Sequence, residues 1–179
     1  MIENKTRRNN LIGGGKVRTE TIRALVADLG SRDGMVRVQA RKSLVAIGGR
    51  AVKPLAKILS SKKEWCRWEA AKTLGQIGDP SAVQALLEAL EDKMFDVRWL
   101  AAEGLISIGR EALIPLLQAL VEHSDSLWLR EGAHHVLHDM NKEDLKEILR
   151  PVIVALEGFE PSVETPPVAE VALKSLTRG

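Results

Sequence analysis

The residues best suited to metal or acid-base chemistry are histidines in the last third of the chain. His134 and His138 are one helical turn apart, so their imidazoles could share a metal ion with Asp139 or His123. The alternative is that His134, His135 and His138 replace small or apolar residues of a relaxed repeat unit. We favour this alternative and expect no metal and no other cofactor, while whether these histidines bind anything stays open.

Patterns typical of other catalytic sites are missing from the sequence. Cys66 stands in a column otherwise filled by valine or leucine, so we interpret it as a buried apolar residue rather than a nucleophile. The run Gly13-Gly14-Gly15-Lys16 lacks the first glycine and the Ser or Thr of a phosphate-binding loop. No nucleophile motif accompanies the histidines. The sequence therefore predicts a protein that is not an enzyme.

The helices that must position these residues repeat along the chain. An arginine recurs at spacings of 30, 31 and 32 residues, as Arg37, Arg67, Arg98 and Arg130. An alanine, a leucine and an isoleucine or methionine follow each arginine by three, seven and ten residues, which defines one apolar helical face. A glycine able to cap that helix closes the first three copies, at Gly48, Gly78 and Gly109.

A second apolar helix follows each of these first helices, over residues 52–59, 82–90 and 112–120, and a fourth is expected over residues 143–157. No segment alternates with period two, so no strand is expected. Because one pair of short helices cannot bury its apolar face alone, we predict an all-α, right-handed α-solenoid. It should stack about four to five two-helix repeats of ~31 residues.

Composition and charge divide the chain into three parts. Its 179 residues, 45% hydrophobic and 28% charged, suffice for one packed core. We predict a flexible basic arm over residues 1–18, a repeat solenoid over 19–158, and a Pro-containing segment over 159–179 with a possible capping helix within 166–176. The arm has a net charge of +4 and leaves −2 for the rest, so the overall positive charge does not indicate a nucleic-acid partner. With no export signal and no apolar run near the ~20 residues of a membrane span, we expect a cytoplasmic protein without a membrane partner.

The repeat resembles a known family. The pattern Val/Cys-Arg-x-x-Ala-x-x-x-Leu, closed by Ile-Gly and followed by Ala-x-x-x-Leu-x-x-x-Leu, resembles the short HEAT-like repeat of phycobilin lyase subunits and their relatives over roughly residues 20 to 158. The resemblance implies that the first helices line a concave groove. It does not specify one function, since such repeats occur in adaptors, chromophore lyases, a hydroxylase and DNA enzymes. None of the first helices carries the His-Glu pair by which the HEAT-repeat hydroxylase holds iron.

All four tryptophans fall on the helical face opposite the core, which the resemblance places in the groove. We predict a partner-binding surface there, because exposed tryptophans mark interfaces and carboxylates beside them suit a basic or amphipathic peptide. The alternative is that the rings complete the core between units. The predicted partner-binding residues are Met35, Trp65, Trp68, Glu69, Lys72, Phe95, Asp96, Trp99, Leu100, Glu103, Trp128 and Glu131. The repeated arginines, beside the core, are expected to pair with acids at the unit boundaries.

The function that these observations favour is a non-enzymatic adaptor or scaffold for protein-protein interaction. The alternative is a phycobilin lyase-like subunit whose aromatic groove holds a tetrapyrrole chromophore, usually together with a second HEAT-like subunit. A third and weaker hypothesis is a HEAT-like DNA-binding protein or alkyl-base glycosylase, which the acidic groove disfavours. The partner, the pathway and the oligomeric state stay open.

Overall fold

The computed structural model describes residues 19–177, so the arm predicted over residues 1–18 lies outside it. Between residues 19 and 177 the chain forms helices and turns, with no strand. The α-helices are α1 (Thr19–Asp28), α2 (Gly34–Ile47), α3 (Val52–Ile58), α4 (Glu64–Ile77), α5 (Val83–Ala89), α6 (Phe95–Ile108), α7 (Leu113–Glu122), α8 (Leu127–Met140), α9 (Lys146–Leu156) and α10 (Pro161–Thr177). Short 3-10 turns at Gly48–Ala51, Pro80–Ala82 and Arg110–Ala112 lead into α3, α5 and α7.

The helices stack as four two-helix units, α2/α3, α4/α5, α6/α7 and α8/α9, with α1 packed against the first unit. Each first helix contacts the first helix of the next unit, and each of α3, α5 and α7 also packs on that next first helix. The leucine column of the repeat is fully buried: Leu44, Leu74, Leu105 and Leu137. The core therefore runs continuously between the units, which confirms the predicted all-α solenoid.

Three glycines end the first helices of the first three units. Gly48, Gly78 and Gly109 have φ angles of 70°, 65° and 85°, values that a residue with a Cβ adopts only at a cost. Their amides donate to the carbonyls of Leu44, Leu74 and Leu105, one turn back. The prediction of capping glycines at these positions is confirmed.

The arginine column ties each first helix to the loop before it. In every unit a guanidinium Nη1 donates to the backbone carbonyl six residues earlier, in the pairs Arg37 to Ser31, Arg67 to Ser61, Arg98 to Asp92 and Arg130 to Ser124. The carbonyls lie in the loops between units, where they have no helical partner. The column is thus a structural feature, and it fixes the start of each first helix. The expected pairing with boundary acids holds for Arg67, which bonds Asp92. Arg37 pairs instead with Glu69, and the hydrogen bonds of Arg98 and Arg130 within residues 19–177 go to backbone carbonyls.

Helices α4 and α6 come into close contact where both carry glycine. A Cβ added at Gly75 would stand 3.0 Å from the Cα of Gly104, and one added at Gly104 would stand 3.0 Å from the Leu86 methyl. Neither helix has a side chain at this crossing, so their backbones meet directly. This crossing sets how far apart the other residues of α4 and α6 lie.

The last helix, α10, begins at Pro161 rather than at the predicted 166, and it packs against α7 and α9. It contains Pro166 and Pro167, which have no N–H to donate within the helix. Because Pro166 has no N–H, the carbonyl of Ser162 one turn earlier receives no hydrogen bond from it. This carbonyl accepts instead from the Ser124 hydroxyl at 2.8 Å. A hydroxyl from the loop before α8 therefore replaces the missing helical hydrogen bond.

The most apolar part of the described chain, Phe95–Glu122, is long and apolar enough to qualify as a candidate membrane span. The expectation that no run approaches this length was therefore too strict. In the structure this segment is divided at Gly109 into α6 and α7, and most of their leucines lie in the core between repeats. Its apolar character is accounted for by this burial.

Candidate aromatic site

A shallow depression lies between the first helices of units two and three. It has a volume of about 400 Å³, and we call it the aromatic depression, defined by Trp68, Phe95, Asp96, Trp99 and Leu100. Trp68 and Trp99 each follow an arginine of the repeated column, so the fold places them at the same position on adjacent helices. Asp96 and Leu100 are within one turn of Trp99 on α6. Register and the close approach of α4 and α6 thus assemble this site.

Trp99 is the central ring of the depression. It is 47% exposed, lies 6.3 Å from Phe95 between ring centroids, and stacks on His135 of the next unit at 4.4 Å. The imidazole of His135 is held in turn by Glu103, with 2.8 Å between Nε2 and Oε1. One side of the Trp99 ring is therefore packed against His135 of unit four, which is itself held by Glu103 of unit three.

The chain's own cations cover several of the rings. The Lys72 ammonium lies 4.5 Å from the Trp68 centroid, and the Arg98 guanidinium lies 4.6 Å from Trp128 and 5.7 Å from Phe95. At these distances the cations are attracted to the ring faces. The border of the depression therefore carries Lys72 and Arg98 as well as the predicted carboxylates, and its charge is mixed.

Glu69 does not lie on the open face, and its assignment to the partner-binding surface is wrong. It is only 4% exposed, and its carboxylate accepts from Arg37 Nε at 3.1 Å and from Arg41 Nη1. Both arginines belong to α2, which packs on α4 and covers this position. Glu69 is consequently a structural link between units one and two.

The remaining predicted residues lie outside the depression. Met35 is 75% exposed, and Trp65 is 43% exposed with its indole N–H donating to the Gly30 carbonyl at 3.4 Å. Trp128 is linked to the depression through Arg98, whereas Glu131 is exposed without a hydrogen bond from any residue within 19–177. The structure therefore gathers the middle of the predicted strip and leaves its ends apart.

Two residues at the aromatic depression, Arg98 and His135, are not among those predicted from the sequence. Arg98 was assigned only to the structural column, yet its long side chain also reaches two rings. His135 is considered in the sequence analysis only as a member of the histidine cluster, although it shares its repeat position with Lys72 and Glu103, both assigned to the open face. That shared position was the signal that could have found it.

The histidines do not form a metal site in the described part of the chain. No group of three His, Cys, Asp or Glu side chains within residues 19–177 is arranged to hold a metal ion. His134 bonds the Glu157 carboxylate at 2.8 Å, and its ring centroid lies 6.0 Å from that of His138. The two residues are neighbours, as one helical turn requires, and His134 already has a carboxylate partner.

A larger cavity of about 510 Å³ lies between the second helices of units one and two and the loops that follow them, with Arg67 and Asp92 among its lining residues. These two side chains bond each other, with Nε to Oδ2 at 2.6 Å and Nη2 to Oδ1 at 2.9 Å. Burial would raise the pKa of Asp92, but the hydrogen bonds from Arg67 and the Met94 amide lower it below its usual value. The hydrogen bond to Asp92 correspondingly raises the pKa of Arg67. Because these polar groups are already paired and no aromatic ring lines the cavity, we regard the aromatic depression as the functional candidate.

Comparisons with known proteins agree with the repeat. The HEAT repeat family matches residues 19–106. The chain is 40% identical over 72 residues to the phycocyanobilin lyase subunit alpha of Picosynechococcus, which is 40% of this chain and 27% of that protein. It is 33% identical over 129 residues to a phycobilisome maturation protein of Synechococcus elongatus, covering 72% of this chain and 61% of that protein. The chain thus spans less than two thirds of either curated relative.

Among solved structures, the chain is similar to a designed armadillo repeat protein, with a TM-score of 0.43 and 19% identity over 95% of this chain and 90% of that one. A crystal structure of an engineered protein gives the same TM-score of 0.43 and 19% identity, covering 100% of this chain and 95% of that one.

The stacked helix pairs and the family match define the class: this is a HEAT-repeat α-solenoid. Within that class the chain is a HEAT-like repeat protein of the phycobilin lyase repeat type. The prediction of a non-enzymatic protein is corrected by the relatives, since one is named as a lyase subunit and the other as a phycobilisome maturation protein. The cytoplasmic location stays a prediction.

Proposed function

We propose that this protein is a subunit of a phycobilin lyase-type enzyme and that its aromatic depression binds a linear tetrapyrrole chromophore. The observation that carries the proposal is the position of two tryptophans and a phenylalanine around one open depression, in a chain similar to a phycocyanobilin lyase subunit. An adaptor without chemistry of its own is not supported by these relatives.

Aromatic rings suit a conjugated, flat ligand. Phe95 and Trp99 present large exposed ring surfaces, and Trp68, which is half-buried against the core, adds part of a third ring. Aromatic side chains have few rotatable bonds, so they lose little conformational freedom on binding, and offset stacking on such rings is favourable. The volume of about 400 Å³ is within the range of small-molecule sites. The depression is open to solvent, which suits a site that must receive a chromophore and release it to another protein.

The lysine and arginine side chains on the ring faces argue against a basic peptide as the binding partner, which the sequence analysis favours. Lys72 and Arg98 already lie over Trp68, Phe95 and Trp128, so a cationic side chain approaching these rings meets charges of its own sign. A ligand with acidic groups meets favourable charges at the same positions. The phycobilin chromophore satisfies both the aromatic and the electrostatic character of the site.

A protein-binding role of the same face is the second candidate. Exposed apolar side chains continue beyond the depression onto α2 and α8, where Met35 is 75% and Leu127 is 57% exposed. Apolar side chains exposed on successive helices are typical of interaction surfaces. On this hypothesis, Leu127→Ser weakens binding of a phycobilisome protein while chromophore binding is unchanged.

The test of the proposed function is a titration of the purified protein with phycocyanobilin, followed by visible absorbance and tryptophan fluorescence. Trp99→Ala should raise the Kd by about thirtyfold, the equivalent of roughly 2 kcal/mol for a central aromatic contact. Trp68→Ala should act in the same direction.

The matched control is Trp65→Ala, because Trp65 has a similar exposure to Trp99 but lies outside the depression. It should leave the Kd unchanged. If the wild-type protein does not bind phycocyanobilin, or if Trp65→Ala weakens binding as much as Trp99→Ala does, the proposed function is wrong. Circular dichroism of each variant separates loss of binding from loss of fold.

A further inference from the structure

We infer that the aromatic depression binds the chromophore in one orientation, with its pyrrole N–H groups at Asp96 and its carboxylate side chains at Lys72 and Arg98. This inference rests on the proposed function and names the groups that recognise the ligand. It assigns Asp96 and Lys72 as specificity-determining residues.

Asp96 is the ionisable side chain among the residues that line the depression; the other four are apolar or aromatic. It is exposed, and no residue within 19–177 forms a hydrogen bond or an ion pair with its carboxylate. An ionised carboxylate can only accept hydrogen bonds, so its natural ligand carries donors. The pyrrole N–H groups of a linear tetrapyrrole are such donors, and a protonated pyrrolic system adds an attractive positive charge.

Lys72 and Arg98 border the depression from opposite helices. Lys72 extends from α4 over Trp68 at 4.5 Å, and Arg98 extends from α6 between Phe95 and Trp128. Arg98 uses Nη1 for the Asp92 carbonyl at 2.9 Å, which leaves its other donors for a ligand. Charge-assisted bonds to carboxylates are stronger than neutral ones, so these cations favour a ligand with peripheral acids.

The combined pattern is selective. A basic peptide can bond Asp96 but is repelled by Lys72 and Arg98. A nucleic-acid backbone is repelled by the carboxylates of Asp96 and Glu131, which are exposed on the same face. A linear tetrapyrrole has N–H donors along its conjugated system and carboxylates on flexible side chains. Its N–H donors match the carboxylate of Asp96 inside the depression, and its carboxylates match Lys72 and Arg98 at the border.

The experiment compares phycocyanobilin with its dimethyl ester on the wild-type protein, Asp96→Asn, Lys72→Gln and Glu131→Gln. Asp96→Asn should raise the Kd for phycocyanobilin about tenfold, the loss expected for one charge-assisted hydrogen bond. It should also shift the absorbance of the bound chromophore to shorter wavelength, because the carboxylate no longer stabilises the protonated pyrroles. The ester should bind the wild-type protein less tightly than the acid, and Lys72→Gln should reduce this difference.

Glu131→Gln is the matched control, since it removes a carboxylate of the neighbouring unit that does not line the depression. It should leave both the Kd and the absorbance unchanged. If wild-type protein binds phycocyanobilin but Asp96→Asn binds it with the same Kd and spectrum, or acid and ester bind equally, the orientation is wrong and the proposed function stands. If wild-type protein binds neither compound, the proposed function fails as well.

Discussion

Asp92 connects the helices that carry the two central tryptophans. Its carboxylate accepts from Arg67 and from the Met94 amide, and its backbone carbonyl accepts from Arg98. Arg67 and Arg98 directly precede Trp68 and Trp99, so one residue fixes the start of α4 relative to α6. The Arg67–Asp92 ion pair is nearly buried. The net contribution of such a pair to stability is often small, but its geometry helps to determine where the two rings lie.

Asp92→Asn should destabilise the protein at pH 7 by about 2 kcal/mol, because charge-assisted bonds to Arg67 are lost. The folded protein lowers the pKa of Asp92, so this stabilisation is complete above the unfolded-state pKa of about 3.9. It is lost as the pH falls through the lower folded-state pKa. Urea unfolding across this range should show the difference between wild type and variant narrowing in acid.

The control for this prediction is Asp125→Asn, at the next unit boundary, where the carboxylate is exposed. It should change the free energy of unfolding by less than about 0.5 kcal/mol at any pH. A difference between wild type and Asp92→Asn that is constant from neutral to acid pH contradicts the assignment of the ion pair.

At the scale of elements, the direct contact of α4 and α6 determines the width of the aromatic depression. Gly75 and Gly104 let the two backbones approach, and Trp68 and Trp99 project from the same two helices. A side chain at the crossing has to push the helices apart, because the neighbouring atom at Gly75 is backbone and cannot rotate away. The aromatic site and the helix crossing are therefore one structural unit.

Gly75→Val should destabilise the protein by about 2 kcal/mol through overpacking, although it replaces glycine within a helix. It should also weaken phycocyanobilin binding, since the two tryptophans move relative to each other. Thermal unfolding and the same chromophore titration measure the two effects.

Gly34→Ala provides the comparison, because a Cβ there meets only the Arg37 guanidinium at an ordinary 3.6 Å. This variant should be at least as stable as the wild type. Equal stability of Gly75→Val and the wild type would show that α4 and α6 are not in close contact.

At the scale of the whole molecule, the repeat made the fold predictable. Each unit contacts mainly its neighbours, so the arginine, leucine and glycine columns define the helices, their turns and their stacking from local sequence. The site was only partly predictable because a helical wheel treats one helix at a time. It could not show that Arg37 and Arg41 of one unit cover Glu69 of the next, or that His135 stacks on Trp99 across a unit boundary.

The central claim, that the aromatic depression holds a linear tetrapyrrole, is tested most directly by a crystal structure of the protein with phycocyanobilin. The account predicts the chromophore against Trp68 and Trp99, with its nitrogens facing Asp96. A chromophore bound in the cavity beside Arg67 and Asp92, with nothing between the tryptophans, would contradict it.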